Sequence, residues 1–104
     1  SHTLIIIPCY NEELRINLDA FKTYHDRLET KTIDFLFAND GSRDGTSQLI
    51  RNFIAKHDLG ANWFVFDNPH NTGKAGAIRN AFHWSKKHIP SKVPNSNTDR
   101  KSVV

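Results

Sequence analysis

Leu4-Ile5-Ile6-Ile7-Pro8-Cys9-Tyr10-Asn11-Glu12-Glu13 is the stretch whose reading decides the fold. Thr3 to Ile7 is a run rich in β-branched residues and ended by Pro8, the pattern of a strand covered on both faces. It breaks abruptly into polar and turn-forming residues. A buried strand looks like this when its carboxyl end opens into a ligand crevice. The same transition recurs in Phe35-Leu36-Phe37-Ala38-Asn39-Asp40-Gly41-Ser42-Arg43-Asp44-Gly45-Thr46. A third stretch, Asn71-Thr72-Gly73-Lys74-Ala75-Gly76-Ala77-Ile78-Arg79-Asn80, places glycines and a lysine at the start of a helical pattern.

Working outward, Asn11 is predicted to cap a first helix, with Glu12 and Glu13 set against its positive N-terminal end. Leu14, Leu18, Phe21, Tyr24 and Leu28 then follow at helical spacing as one apolar stripe. Ile33 to Ala38 is the second strand. Asp44 or Thr46 begins a second helix with the stripe Leu49, Ile50, Phe53, Ile54 and His57, and Gly60 marks its end. Trp63 to Phe66 forms the third strand. Asn71 or Thr72 opens a third helix through Ala75, Ile78, Phe82 and Ser85 to about Lys87.

Strand and helix alternate three times, which implies right-handed crossovers and a parallel sheet ordered 3-2-1. The predicted class is α/β: a Rossmann-like, mononucleotide-binding half of a doubly wound fold over residues 1–88. Residues 89–104 are predicted to be a mobile loop, or a lead-in to the next strand. Pro90 to Ser102 carries Pro, Ser, Asn and charges without periodicity, and Val103-Val104 is a candidate start of a fourth strand. In such a half-sheet the first strand would stand at an edge with unpaired backbone groups. Leu4-Ile5-Ile6-Ile7 is also aggregation-prone. Cover is expected from a continuation of the chain, or from a second copy forming a homodimer through that edge.

The bulk properties narrow the function classes. The chain has 104 residues, 38% of them hydrophobic, with seven Phe and two Trp, which suits a packed core. Its net charge of +3 is unevenly spread. Residues 1–85 hold nine Lys/Arg against ten Asp/Glu, and residues 86–104 hold five against one. No basic face runs through the body, so no nucleic-acid partner is expected. Cys9 alone cannot form an internal disulfide and fits a reducing compartment. Ser1-His2-Thr3 leads straight into the first strand with no leader pattern, and no apolar run reaches membrane-spanning length.

In a parallel α/β sheet, ligands bind outside the carboxyl ends of the strands. There Tyr10 offers a ring face to a nucleobase, and Asp40 a carboxylate to a base N–H or a ribose hydroxyl. Gly41 allows close backbone approach and positive φ. Asp44 is expected to cap or orient the loop. Lys74, in a glycine-bearing helix start, suits a diphosphate or remains a solvated cation. Arg79 is a weaker phosphate candidate and Asn80 a structural one. The stretch is not a Walker A loop, because Ala75 stands where Ser or Thr would follow the lysine. The six histidines show no metal-ligand spacing. Cys9 reads as a small residue packed at a strand end rather than a nucleophile.

Together, in this order and spacing, the three stretches resemble the start of a family 2 glycosyltransferase of the GT-A fold. The look is closest to polyprenyl (dolichyl) phosphate sugar transferases. The resemblance implies that Pro8, Tyr10 and Glu12 lie near the base and ribose of a nucleoside diphosphate sugar and Asp40 on the base edge. Gly41, Ser42 and Lys74 complete the implied nucleotide-binding set. It also implies sugar transfer from a UDP- or GDP-linked donor, UDP favoured, to an acceptor such as a polyprenyl phosphate or a glycan. Cell wall or polysaccharide biosynthesis and a location in the cytoplasm or on the cytoplasmic face of a membrane go with it.

The family binds a divalent metal, Mg2+ or Mn2+, through an Asp-x-Asp motif after its fourth strand, and uses a later acid as base. Neither motif occurs in this sequence, since Asp99 is the only acid after Asp67. No residue of this chain is therefore assigned a catalytic or metal-ligating role, and the fragment alone is expected to be inactive. The alternative is a nucleotide-binding or assembly module that never catalyses. An unrelated flavodoxin-like or nucleotidyltransferase half is disfavoured by the three-motif register. Most family members carry Asp-Asp-Gly-Ser, so Asn39 departs from the pattern: it retains hydrogen-bonding capacity and loses a charge.

Overall fold

The computed structural model describes residues 3–30, 32–93 and 100–103. Its elements are β1 (Thr3–Cys9), α1 (Leu18–Asp26), β2 (Ile33–Asp40), α2 (Thr46–Lys56), β3 (Trp63–Asn68), α3 (Gly73–His88), a 3-10 turn at Pro90–Lys92 and β4 (Arg100–Val103). The strands form one sheet in the order β3-β2-β1-β4, with every neighbouring pair parallel. The predicted 3-2-1 order is thus observed, with a fourth strand added beside β1.

Of the two readings of residues 89–104, the lead-in to a further strand is the one the structure shows. The strand starts at Arg100, so the predicted loop does not run through to Ser102. Residues 94–99, where the rest of that loop was expected, lie outside the described residues, as does Val104. The β1 edge is covered from within the chain: Thr3 to Ile6 pair with Arg100 to Val103. Pro8 fits beyond this ladder. The Thr3 amide donates to the Thr32 carbonyl on the β2 side. Strand alternation then points the amide side of residue 8 toward the β4 side, beyond the described pairs Thr3↔Arg100 to Ile6↔Val103.

Alternation along the strands builds two apolar layers. Ile7, Cys9, Phe35, Phe37, Trp63 and Val65 face Leu18 and Phe21 of α1 and Ile50, Phe53 and Ile54 of α2. Leu4, Ile6, Leu36 and Ala38 face Ala81, Ile78, Phe82 and Trp84 of α3. Truncating a buried strand residue such as Ile6 or Leu36 to Ala would cost roughly 2–5 kcal/mol.

The first helix begins later than its stripe predicts. Asn17, not Asn11, caps α1, accepting a hydrogen bond from the Ala20 amide at 3.1 Å. Asn11 has φ +50°, and Leu14 is 97% exposed. Hydrogen bonds to the loop after β2 hold residues 11–13 out of the helix.

Candidate functional site

The tips of β1 and β2 continue into two loops that are fastened to each other. The Asn11 amide donates to Ser42 Oγ at 3.0 Å, and the Arg43 amide donates to Asn11 Oδ1 at 2.9 Å. The Glu12 amide donates to Thr46 Oγ1 at 2.9 Å, and the Gly45 amide to Glu13 Oε1 at 3.0 Å. Just before α2, whose capping residue is Gly45, Asp44 accepts from the Thr46 amide at 3.0 Å and from the Thr46 hydroxyl. These bonds lower the Asp44 carboxyl below its ordinary value, the Thr46 hydroxyl contributing most. The polar residues of the first two motifs are therefore largely spent on holding one turn against the other.

Asp40, only 4% exposed, ends β2 beside Asn68, its register partner in β3. Its Oδ1 accepts from Asn68 Nδ2 at 2.9 Å, the Thr72 amide at 2.9 Å and the Thr72 hydroxyl at 3.2 Å. Asn80 of α3 holds Asn68 in turn, donating from Nδ2 to Asn68 Oδ1 at 3.2 Å. Burial alone would raise the Asp40 carboxyl, but the bonds from Thr72 and Asn68 outweigh it and keep the group below its ordinary value. Asp40 is thus a charged, immobilised acceptor. Oδ1 is committed to the scaffold, and the Gly73 amide also favours the carboxylate.

A cleft of about 290 Å³ opens at these strand tips, lined by Pro8, Cys9, Tyr10, Glu12, Asp40 and Lys74. Five of the seven predicted nucleotide-binding residues meet there, contributed by three separate motifs. Tyr10 is 40% exposed and lines the cleft. Lys74 sits in the first turn of α3, where its charge adds to the positive end of the helix. Glu12 carries an ion pair with Arg15 at 3.0 Å. Cys9 is buried, and burial pushes its thiol up to about 12, with the Glu12 carboxylate adding to the effect. It is a packed wall residue, not a nucleophile.

Gly41 and Ser42 do not line the cleft. Gly41 has φ +67°, and a Cβ there would stand 2.7 Å from the Asn71 amide nitrogen, so its part is to let the third motif approach β2. The Ser42 hydroxyl is engaged between the Asn11 amide and Asn39 Oδ1. Sequence reasoning missed Asn68 and Thr72. Their signal was an Asn ending the third strand level with Asp40, visible only once the register is known. A larger recess of about 380 Å³, walled by Ile5, Ala20, Phe21, Tyr24 and Phe35, lies on the α1 face. It lacks the convergent polar groups that orient a substrate.

Comparison with known proteins adds a family and a fold. The family model described as Glycosyl transferase family 2 matches residues 4–89. A dolichyl-phosphate beta-glucosyltransferase of Trichomonas vaginalis is 30% identical over 81 residues, covering 72% of this chain and 24% of that protein. A dolichyl-phosphate beta-glucosyltransferase of Dictyostelium discoideum is 27% identical over 88 residues, covering 79% of this chain and 27% of that protein. Among solved structures, a mannosyltransferase from Pyrobaculum calidifontis in complex with GDP-Man and Mn2+ superposes with a TM-score of 0.67 at 22% identity, covering 80% of this chain and 24% of that one. That likeness concerns the fold. The chain spans about a quarter of the length of the relatives it matches.

Proposed function

This chain belongs to glycosyl transferase family 2, and on that premise we propose that it is the donor-nucleotide-binding portion of a sugar transferase. The observation that carries the reading is the meeting of Tyr10 and Asp40, from different strand tips, in one cleft with Lys74. Tyr10 stacks on the base, Asp40 accepts a base N–H, and Lys74 with the start of α3 holds the diphosphate. Pro8 and Glu12 flank the base and ribose. Gly41 and Ser42 serve by shaping the turns.

UDP is the favoured donor nucleotide. Guanine offers two adjacent donors, N1–H and its amino group, and these are best met by two free carboxylate oxygens. Asp40 Oδ1 already takes three hydrogen bonds, so at most one oxygen remains, which suits the single imide N–H of uracil. For the acceptor, the dolichyl-phosphate relatives favour a polyprenyl phosphate. Such an acceptor is lipid-borne, so transfer takes place at a membrane face, the cytoplasmic one in this reading. No described helix is long and apolar enough to cross a membrane.

Among the described residues no group of three His, Cys, Asp or Glu side chains is placed to hold a metal ion. Because the family's Asp-x-Asp motif and later acid do not occur in this sequence, we assign the divalent ion, and the base that deprotonates the acceptor, to residues outside this chain. When bound, such an ion neutralises the leaving diphosphate. The 104-residue chain is expected to bind and orient the donor without transferring its sugar.

Calorimetric titration of UDP, GDP and CDP with Mg2+ tests the reading. UDP is expected to bind tightest. Asp40→Ala is expected to weaken it by about 10- to 100-fold, the loss of one hydrogen bond to a charged group. Equal UDP affinity in wild type and Asp40→Ala would remove Asp40 from the site.

A further inference from the structure

Asn39 is buried at 6% exposure and lies in one cross-strand row with Cys9 of β1 and Asp67 of β3. Its amide is used at both ends. Nδ2 donates to Asp67 Oδ1 at 3.0 Å, and Oδ1 accepts from the Ser42 hydroxyl. Ser42 Oγ then accepts the Asn11 amide, next to Tyr10 in the cleft wall. Asp67 is itself fixed from α2, where Arg51 donates to its Oδ2 at 2.6 Å. A continuous path of polar contacts therefore runs from Arg51 through Asp67, Asn39 and Ser42 to the Tyr10–Asn11 turn, without touching Asp40.

We propose that Asn39 is a positioning residue for the nucleotide site, its amide clasped by Asp67 so that Ser42 fixes the turn that presents Tyr10. The inference rests on the nucleotide reading for its functional consequence. It also accounts for an amide at this position. An amide donates to Asp67 while accepting from Ser42, which an ionised carboxylate, an acceptor only, does not. A carboxylate at 39 would still accept from Ser42, but would face Asp67, itself 44% exposed, as a like charge at hydrogen-bond distance. The two positions form a matched pair in which one carries the charge and the other the donor.

The test is a swap, read in two ways on the 104-residue chain: UDP affinity with Mg2+, and hydrogen exchange of the Asn11 amide. Asn39→Asp is expected to weaken UDP about fivefold or more and to speed Asn11 exchange about tenfold. In the double variant Asn39→Asp/Asp67→Asn, the amide introduced at position 67 donates to the carboxylate introduced at position 39 and accepts from Arg51. Both readouts are then expected to return to within about twofold of wild type. Asp67→Asn alone keeps a donor at 39 and is expected to stay within about threefold. A swap no better than Asn39→Asp alone overturns the proposal, as does an Asn39→Asp chain with unchanged Asn11 exchange. If Asn39→Asp does not fold, a folded swap with wild-type readouts supports the pairing, and a swap that also fails overturns it. If wild-type chain does not bind UDP, the nucleotide reading fails, and exchange at Asn11 alone decides whether Asn39 sets the turn.

Discussion

Asp40 shows how one side chain acquires a role from its neighbours. An aspartate at a strand end is common, and Asp-Gly is an ordinary turn pair. This one is buried, held on one oxygen by Thr72 and Asn68, and kept charged despite its burial. The residue was legible in the sequence because it stands where an apolar run breaks. Its cradle was not, because Asn68 and Thr72 lie 28 and 32 positions away and reach it only through the β2–β3 register. Gly41 was legible for its conformation and for a close backbone approach, and the backbone that approaches it is that of His70 and Asn71. Its φ of +67° and the backbone of His70 and Asn71 against it leave no room for a Cβ. Gly41→Ala is expected to lower stability by about 2 kcal/mol or more, measured as a shift of the urea midpoint at constant slope. An unchanged midpoint would mean that the third motif does not close on β2 as described.

Among the elements, the first three strands and the last two helices could be read locally and α1 could not. Capping rules see only a few residues ahead. They placed Asn11 at a helix start because Glu12, Glu13 and a helical stripe follow it. In the structure Asn11 and Glu13 are committed to Arg43 and Gly45, both 32 positions away, and the helix waits for Asn17. Leu14, placed on the predicted stripe, is left in solvent. The loop pair that wins this competition is a structural device in its own right, since it fixes the turn that carries Tyr10. Thr46 is its least replaceable member, fully buried, accepting from the Glu12 amide and donating to Asp44. Thr46→Val keeps the shape and removes both bonds. It is expected to cost about 1–3 kcal/mol and to speed exchange of the Glu12 amide. Wild-type exchange there would show that the two loops hold without it.

At the scale of the whole molecule, a parallel sheet with α1 and α2 on one face and α3 on the other brings three motifs to one end. Alternation of strand and helix was enough to predict that. The fourth strand was legible only as Val103-Val104, because four residues carry too little periodicity, and what selects them is the unpaired edge of β1. The central claim is likewise a property of the assembled sheet: two strand tips present one base site, with Tyr10 on the ring face and Asp40 on its edge. The most direct measurement is the transfer of magnetisation between the uracil H5 and H6 protons of bound UDP and the ring protons of Tyr10 in the 104-residue chain. Cross-peaks to Tyr10 that disappear in Asp40→Ala are the predicted result. UDP that binds with no cross-peak to Tyr10, or with cross-peaks indifferent to Asp40→Ala, would contradict it.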